Sequence, residues 1–249
     1  MTIGLVHPGE MGAALGAALR SAGHDVVWAS DGRSEATRAR AGEAGLRDAG
    51  TVGTVAANAD VVLCVVPPHA ALDVARELAG FDGVYVDANA VSPATAHEIA
   101  SLHPRCVDGG IIGPPPREPG TTRLYLSGRE ASAIAGLFAG TAVDARITTD
   151  ASALKMAYAA WSKGTAALLL AIRDVAQAFG VEDDLVAEWE LSQADLAARL
   201  AGAERSASAK GWRWIGEMEE IADTFAAAGA PDGFHRAAAR VYEQTANRT

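Results

Sequence analysis

The first 34 residues constrain the fold of this chain more than any other stretch. An apolar run at Ile3–Val6 precedes glycines at Gly9 and Gly12, and a segment with apolar residues at helical spacing follows them. A second apolar run is found at Val26–Ala29. A strand, a glycine turn, a helix and a strand in this order predict half of a dinucleotide-binding fold. In that fold a pyrophosphate lies on the N–H groups at the helix N-terminus.

The turn departs from the G-x-G-x-x-G pattern at its first position. His7 stands where the first glycine is expected, while Gly9 and Gly12 take the second and third places. The six residues alone are equally typical of an ordinary strand–loop–helix in an α/β protein. If the turn binds a cofactor, its candidate residues are His7, Pro8, Gly9, Glu10, Met11 and Gly12.

The end of the second predicted strand indicates which dinucleotide would bind. A site for NAD usually has an acidic residue there, whereas this chain has Ser30, followed by Arg33 and Ser34. A guanidinium and hydroxyls beside the start of a helix suit a 2′-phosphate. These residues favour NADP and make NAD the weaker alternative. Asp31 would oppose a phosphate if it turned inward.

Two later strands provide further candidate site residues. One apolar run ends at Val66, Pro67 and Pro68, and the next is followed by Asn89. Ligands bind at the carboxyl ends of the strands in parallel sheets, so we expect these four residues to contact the cofactor. Ser92, which precedes a proline, is a candidate substrate-binding residue and also a good helix N-cap.

Strands alternate with helices up to about residue 147, and the chain beyond residue 149 has no strand signal. We therefore predict a Rossmann-type α/β domain at residues 1–149, with a doubly wound, mostly parallel sheet. An all-α C-terminal domain follows at residues 150–249. Its long first helix, residues 150–180, is too apolar for a surface position. Further helices are predicted at residues 183–201, 206–228 and 231–247.

Composition limits the partners of the chain. The net charge of −10 over 249 residues argues against nucleic acids and anionic membranes, and no apolar run is long enough to span a bilayer. Cys64 and Cys106 lie in predicted strands, and no Cys/His spacing suits zinc, so we expect no metal. Without a signal-peptide pattern we expect a cytoplasmic protein. The apolar C-terminal helices predict a homodimer.

Four segments occur in the order seen in the β-hydroxyacid dehydrogenases: GLVHPGEMG, VDANAVSP, VDGGIIG…GTTRLYLSG and the lysine of DASALKM. The nucleotide domain is similar to that of 6-phosphogluconate dehydrogenase. The segment ASALKMAYAAWSKGTAALLLAI resembles a subgroup whose C-terminal helical domain has no assigned function. The resemblance covers nearly the whole chain. It implies an NAD(P)-dependent oxidoreductase for a hydroxy acid or its carbonyl counterpart, with Lys155 as the catalytic residue.

Lys155 is placed one turn into the long helix, close to the predicted domain boundary. An apolar surround disfavours its ammonium form and brings its pKa toward the range useful for proton transfer. The neutral amine would accept the hydroxyl proton in oxidation, and the ammonium would donate it in reduction. A lysine that only extends its charge to water from a helix end is the alternative.

Three positions depart from the family pattern. Ala159 stands where the family has an asparagine, and Tyr158 and Ser162 lie on roughly the same helix face and could replace it. Ile112, before Gly113, stands at the position of a substrate-binding serine, and Glu217 at that of a lysine. These changes remove donors for a carboxylate substrate. The candidate substrate-binding residues are therefore Ser92, Ile112, Gly113 and Glu217.

Two other functions remain open from the sequence. An NADPH-dependent imine reductase would use Glu217 to attract an iminium-like substrate, although Lys155 suits a developing positive charge less well. An NADP-binding sensor without turnover would have no need of a proton donor, and Lys155 argues against it.

Overall fold

The computed structural model describes residues 1–246, so the end of the helix predicted at residues 231–247 lies outside the described residues. The chain divides into two compact units. The first is Met1–Lys155 and the second begins at Met156. The sequence placed the domain boundary six residues earlier, and the first unit thus includes the first turn of the long helix.

The first unit contains an eight-stranded sheet with the order β3-β2-β1-β4-β5-β6-β7-β8. Neighbouring strands are parallel except β6 and β7, which form an antiparallel pair. The predicted Rossmann-type, mostly parallel sheet is confirmed. The strands are β1 (Thr2–Leu5), β2 (Asp25–Trp28), β3 (Arg47–Asp48), β4 (Val61–Cys64), β5 (Val84–Asp87), β6 (Cys106–Ile112), β7 (Thr122–Ser127) and β8 (Val143–Ile147).

Helices cover the sheet, and one apolar cluster lies on each of its faces because β1, β4 and β5 are buried on both sides. Ser34 and Ser92 cap α2 and α5, accepting hydrogen bonds from Thr37 N and Thr95 N at 3.3 Å. The helices that begin in this unit are α1 (Glu10–Ser21), α2 (Glu35–Glu43), α3 (Val52–Asn58), α4 (Pro68–Glu77), α5 (Pro93–Leu102), α6 (Ala131–Gly136) and α7 (Ala151–Ala178).

The described residues of the second unit form helices and the short connections between them. After α7 the unit contains α8 (Glu182–Ser192), α9 (Leu196–Ala227) and α10 (Gly233–Ala246). The sequence prediction of two helices at residues 183–201 and 206–228 is wrong, because the break comes before Leu196 and α9 continues through Gly202. A glycine inside a helix costs about 1 kcal/mol relative to alanine, and the alanine-rich surroundings outweigh that cost.

The apolar helix α7 exposes a stripe of large side chains. Tyr158, Trp161, Leu168 and Val175 are 46%, 65%, 44% and 59% exposed in the single chain. The last three recur at intervals of seven residues and therefore lie along one side of the helix. Within one chain, this side of α7 is exposed, while Met156, Ala159 and Leu170 of the same helix are buried. Between residues 1 and 246, no helix combines the length and the apolarity needed to cross a membrane.

Candidate cofactor turn and lysine site

The turn between β1 and α1 depends on its two glycines in different ways. A Cβ atom at Gly12 would lie 2.8 Å from the carbonyl oxygen of His7, so only glycine lets the helix begin this close to the turn. A Cβ atom at Gly9 would meet nothing within 4 Å. Gly9 is also the N-cap of α1. The space beside the helix N-terminus is therefore open, which fits the approach of a pyrophosphate.

Two buried nitrogen atoms near this turn have no hydrogen-bond partner among the described residues. They are Nδ1 of His7 and Nε of Arg33. Burial is the main cause that lowers the pKa of His7, and the nearby positive charge of Arg33 adds to it, while the Val6 backbone and Glu77 oppose the shift. A phosphate beside Arg33 would supply an acceptor for the guanidinium. The residues present thus fit a dinucleotide with an additional phosphate.

Two more arginines of α2 approach the same region, and the sequence analysis did not single them out. Arg40 donates from Nη1 to the carbonyl oxygen of Pro8 at 3.3 Å, and Arg38 donates from Nη2 to that of Ser30 at 2.7 Å. The Asp48 carboxylate accepts a hydrogen bond from Gly50 N at 2.8 Å, and this bond together with the Ser30 hydroxyl lowers the pKa of Asp48. The alternation of arginines in RSEATRAR is the signal that could have revealed this positive surface.

The remaining turn residues differ in exposure. Pro8 is buried, Met11 is half-buried, and Glu10 and Ser34 are exposed. At the end of β4, Val66 is buried, Pro67 caps α4 and Pro68 is its first residue.

Asn89 connects the ends of β4 and β5. Its Oδ1 accepts from Val66 N at 2.6 Å, and its Nδ2 donates to Cys64 Sγ at 3.4 Å and to the carboxylate of Asp87. The side chain is 4% exposed. The structure gives Asn89 a role in holding the carboxyl ends of two strands together, and a direct contact with the cofactor stays a prediction.

Lys155 extends from the first turns of α7 to the end of β6. Its Nζ donates a hydrogen bond to the carbonyl oxygen of Ile111 at 2.7 Å. Burial lowers the pKa of this amine to about 8. Both protonation states are therefore populated near neutral pH, as a general acid or base requires.

The predicted substrate-binding residues of the first unit differ in chemistry and position. Ile112 is 5% exposed and apolar. Gly113 has φ of +125°, and a Cβ atom there would lie 2.2 Å from the Thr121 carbonyl oxygen, so its glycine serves the turn into the proline-rich loop. Ser92 is 2% exposed at the start of α5.

The predicted site residues of the second unit have different surroundings. Tyr158 and Ser162 are exposed, and Ser162 donates from Oγ to the Ala159 carbonyl oxygen at 3.5 Å. Glu217 is buried and forms an ion pair with Lys163. The sequence alone shows Glu217 as a single negative charge and does not reveal Lys163 as its partner, because the two residues are 54 positions apart. Among residues 1–246, no group of three or more His, Cys, Asp or Glu side chains could hold a metal ion.

An open glycine turn at the carboxyl end of a parallel sheet, with a cationic residue nearby, defines a protein of the nicotinamide-dinucleotide-binding class. Comparisons with known proteins agree. Residues 2–91 match a family model described as NADP oxidoreductase, coenzyme F420-dependent. Residues 176–245 match a domain of unknown function, DUF1932.

One curated relative is an uncharacterized 28.5 kDa protein from the 7S RNA 5′ region of Methanothermus fervidus. It is 32% identical over 192 residues, which are 75% of each chain. The chain belongs to this family, the β-hydroxyacid dehydrogenase-like proteins with a C-terminal DUF1932 domain. The resemblance seen in the sequence is confirmed.

Solved structures share the fold. The conserved protein MTH1747 of unknown function, described as structurally similar to 3-hydroxyacid dehydrogenases, has 29% identity and a TM-score of 0.71, covering 99% of this chain and 97% of its own. The 3-hydroxyisobutyrate dehydrogenase of Mycobacterium tuberculosis with L-serine has 18% identity and a TM-score of 0.70, covering 99% and 94%. A reductive aminase from Aspergillus terreus in complex with NADPH and ethyl levulinate has 18% identity and a TM-score of 0.59, covering 99% of this chain and 94% of its own. The fold is that of nicotinamide-dependent oxidoreductases.

Proposed function

We propose that this protein is an NADP-dependent oxidoreductase that interconverts a hydroxyl and a carbonyl group, with Lys155 as the general acid and base. The observation that carries the proposal is the buried Lys155 amine, held at the Ile111 carbonyl with a pKa of about 8. A bound nicotinamide supplies or accepts the hydride. In reduction the Lys155 ammonium donates its proton to the carbonyl oxygen, and in oxidation the neutral amine takes the hydroxyl proton.

The proposed substrate is a neutral carbonyl compound. Ile112 offers no donor to a carboxylate, and Lys163 neutralises the negative charge of Glu217. The hydroxyls of Tyr158 and Ser162 are exposed on α7 and are the groups proposed to replace the family asparagine.

An imine reductase is the second candidate, since a reductive aminase shares the fold. The Lys163–Glu217 ion pair weakens it, because the pair has no net charge with which to attract an iminium ion. A dinucleotide-binding sensor without turnover is the third candidate, and the buried amine of Lys155 argues against it.

A substrate panel separates these candidates. We expect NADPH oxidation with neutral ketones or aldehydes to exceed that with matched cyclic imines and with 3-oxo acids, because the polar groups that would bind a cation or a carboxylate are missing or neutralised. Steady-state NADPH absorbance measures the rates. Faster oxidation with imines would support the reductase, and cofactor binding without turnover on any compound would support the sensor.

We also propose a homodimer through the C-terminal helices. Trp161, Leu168 and Val175, the exposed residues of α7 that recur at intervals of seven, have the spacing of a helix–helix interface. A second copy of the same helix would cover them.

Light scattering tests the homodimer directly. The chain mass is 25.5 kDa, so a dimer has twice that mass at micromolar concentration. The double variant Trp161→Glu, Leu168→Glu places charges in the stripe and should give the mass of one chain. Lys210→Glu changes an exposed residue of α9 and should leave the dimer intact. A monomeric wild-type protein would contradict the proposal.

A further inference from the structure

Helix α7 begins with three N–H groups bonded to side chains. The first N–H groups of a helix have no partner within the helix, so the side chains that accept from them help to fix where it starts. The pairs are Ala151 N with Ser127 Oγ at 3.1 Å, Ser152 N with Asp108 Oδ2 at 2.8 Å, and Ala153 N with Asp150 Oδ1 at 2.7 Å. Two of the three acceptors belong to the sheet, so the start of α7 is fixed on the sheet.

Asp108 and Ser127 form one cross-strand pair. They lie opposite each other on β6 and β7, and Ser127 Oγ donates to Asp108 Oδ2 at 3.0 Å. Ser152 Oγ donates to the other carboxylate oxygen at 2.6 Å. Asp108 thus accepts three hydrogen bonds, two of them from the first turn of α7. A carboxylate at a helix N-terminus also interacts favourably with the helix dipole.

The same crossing of helix and strand places Lys155. Lys155 follows Ser152 by three residues, and Ile111 follows Asp108 by three. Three residues advance about 4.5 Å along a helix but about 10 Å along a strand. The extended lysine side chain bridges the difference and brings Nζ to the Ile111 carbonyl oxygen. The contacts of Ser152 and Lys155 with β6 are therefore geometrically linked.

Gly110 allows the helix to approach the strand between these two contacts. A Cβ atom there would lie 2.7 Å from the Ala151 carbonyl oxygen and 3.0 Å from Lys155 Cβ. Because the helix and the strand are this close, the first turn of α7 has little room to shift against β6. Its position therefore determines how far the Lys155 side chain is buried.

We propose that Asp108 is a positioning residue for Lys155: together with Ser127 it fixes the first turn of α7 on β6 and so holds the lysine amine at the sheet. That this positioning serves catalysis rests on the proposed function. Asp108 acts through position, since burial is the cause of the lowered pKa of Lys155. Without the carboxylate, the first turn of α7 lifts from β6 and the amine gains water.

The test measures the titration of Lys155 directly, in protein without cofactor or substrate. The rate of acylation of Lys155 by an amine reagent is followed against pH and quantified by peptide mass spectrometry. In the wild type, the midpoint of the acylation rate against pH is expected at about pH 8. In Asp108→Ala the midpoint should rise by about 1 unit or more, toward the ordinary lysine value. Asp108→Asn, which keeps one acceptor oxygen, should give an intermediate shift.

Two further variants keep the test decisive. Asp144→Ala removes an exposed strand aspartate paired with Arg146 and should leave the midpoint unchanged. If Asp108→Ala does not fold, Ser152→Ala removes only the hydroxyl contact and should produce a smaller shift in the same direction. An unchanged midpoint in folded Asp108 or Ser152 variants, or an ordinary lysine midpoint in the wild type, would overturn the inference. Absence of turnover in a wild type with the expected midpoints would instead count against the proposed function alone.

Discussion

Replacing Lys155 with methionine is expected to lower kcat for the carbonyl substrate by about 10²- to 10⁴-fold, the usual contribution of a general acid or base. Methionine keeps the length and the apolar part of the side chain but removes the amine that donates to Ile111 O. The Kd for NADPH should stay within about twofold of the wild type, because the glycine turn and Arg33 are untouched. Stopped-flow turnover and fluorescence titration of the cofactor measure the two quantities.

The pH dependence should identify the amine as the proton carrier. In reduction the ammonium is the active form, so kcat/KM should be constant below about pH 8 and decrease above it. In oxidation the neutral amine is active, so kcat/KM should increase up to about pH 8 and then level off. Lys155→Met should show neither change near this pH.

Stability gives an independent check on the buried amine. The pKa of Lys155 decreases from 10.5 to about 8 on folding, so the charged amine lowers the free energy of unfolding by up to about 3 kcal/mol below pH 8. This loss of stability becomes smaller as the pH rises from 8 to 10.5 and is absent above that range. Lys155→Met should therefore unfold at the same or a higher temperature than the wild type at neutral pH. Lys210→Met, at an exposed lysine of α9, is the matched control and should leave turnover unchanged. Full turnover in Lys155→Met would refute the catalytic role.

The parts of the fold that depend on local pattern could be predicted from the sequence. Apolar runs, glycine turns and the Ser92–Pro93 cap specify single strands and helices, and strict alternation of the two predicts a parallel sheet. Helix breaks were less predictable: the sequence predicts an interruption between residues 201 and 206, yet α9 continues through Gly202. Propensity is a weak signal when alanines on both sides favour the helix.

The candidate site could be predicted only in its sequence-local parts. The glycine turn, Arg33 and Lys155 are candidates that short segments indicate, whereas the contacts between distant residues required the structure. Asp108 meets Ser152 across 44 residues, and Lys163 meets Glu217 across 54. No periodicity encodes such pairs, because they depend on how separate elements pack. The charge of Glu217 was read correctly from the sequence, but its neutralisation by Lys163 required the structure.

Replacing Arg33 with alanine is expected to raise the Kd for NADPH by about 10- to 100-fold, while the Kd for NADH changes by less than about threefold. A hydrogen bond to a charged group contributes about 1.5–3 kcal/mol, and each 1.4 kcal/mol corresponds to a factor of ten in affinity. The Arg33 guanidinium has a buried Nε without a partner among the described residues, so a 2′-phosphate would satisfy it. Calorimetric titration of both cofactors measures the difference.

Two further variants separate specificity from general damage to the turn. Gly9→Val fills the open space beside the start of α1 and should weaken NADPH and NADH equally, because both carry the pyrophosphate. Arg47→Ala removes an exposed arginine paired with Asp25 on β2 and should affect neither cofactor. The NADP assignment depends on the contrast between Arg33→Ala and Gly9→Val. If the wild type binds NADH as tightly as NADPH, or if Arg33→Ala weakens both alike, Arg33 does not recognise a 2′-phosphate and the preference for NADP is wrong.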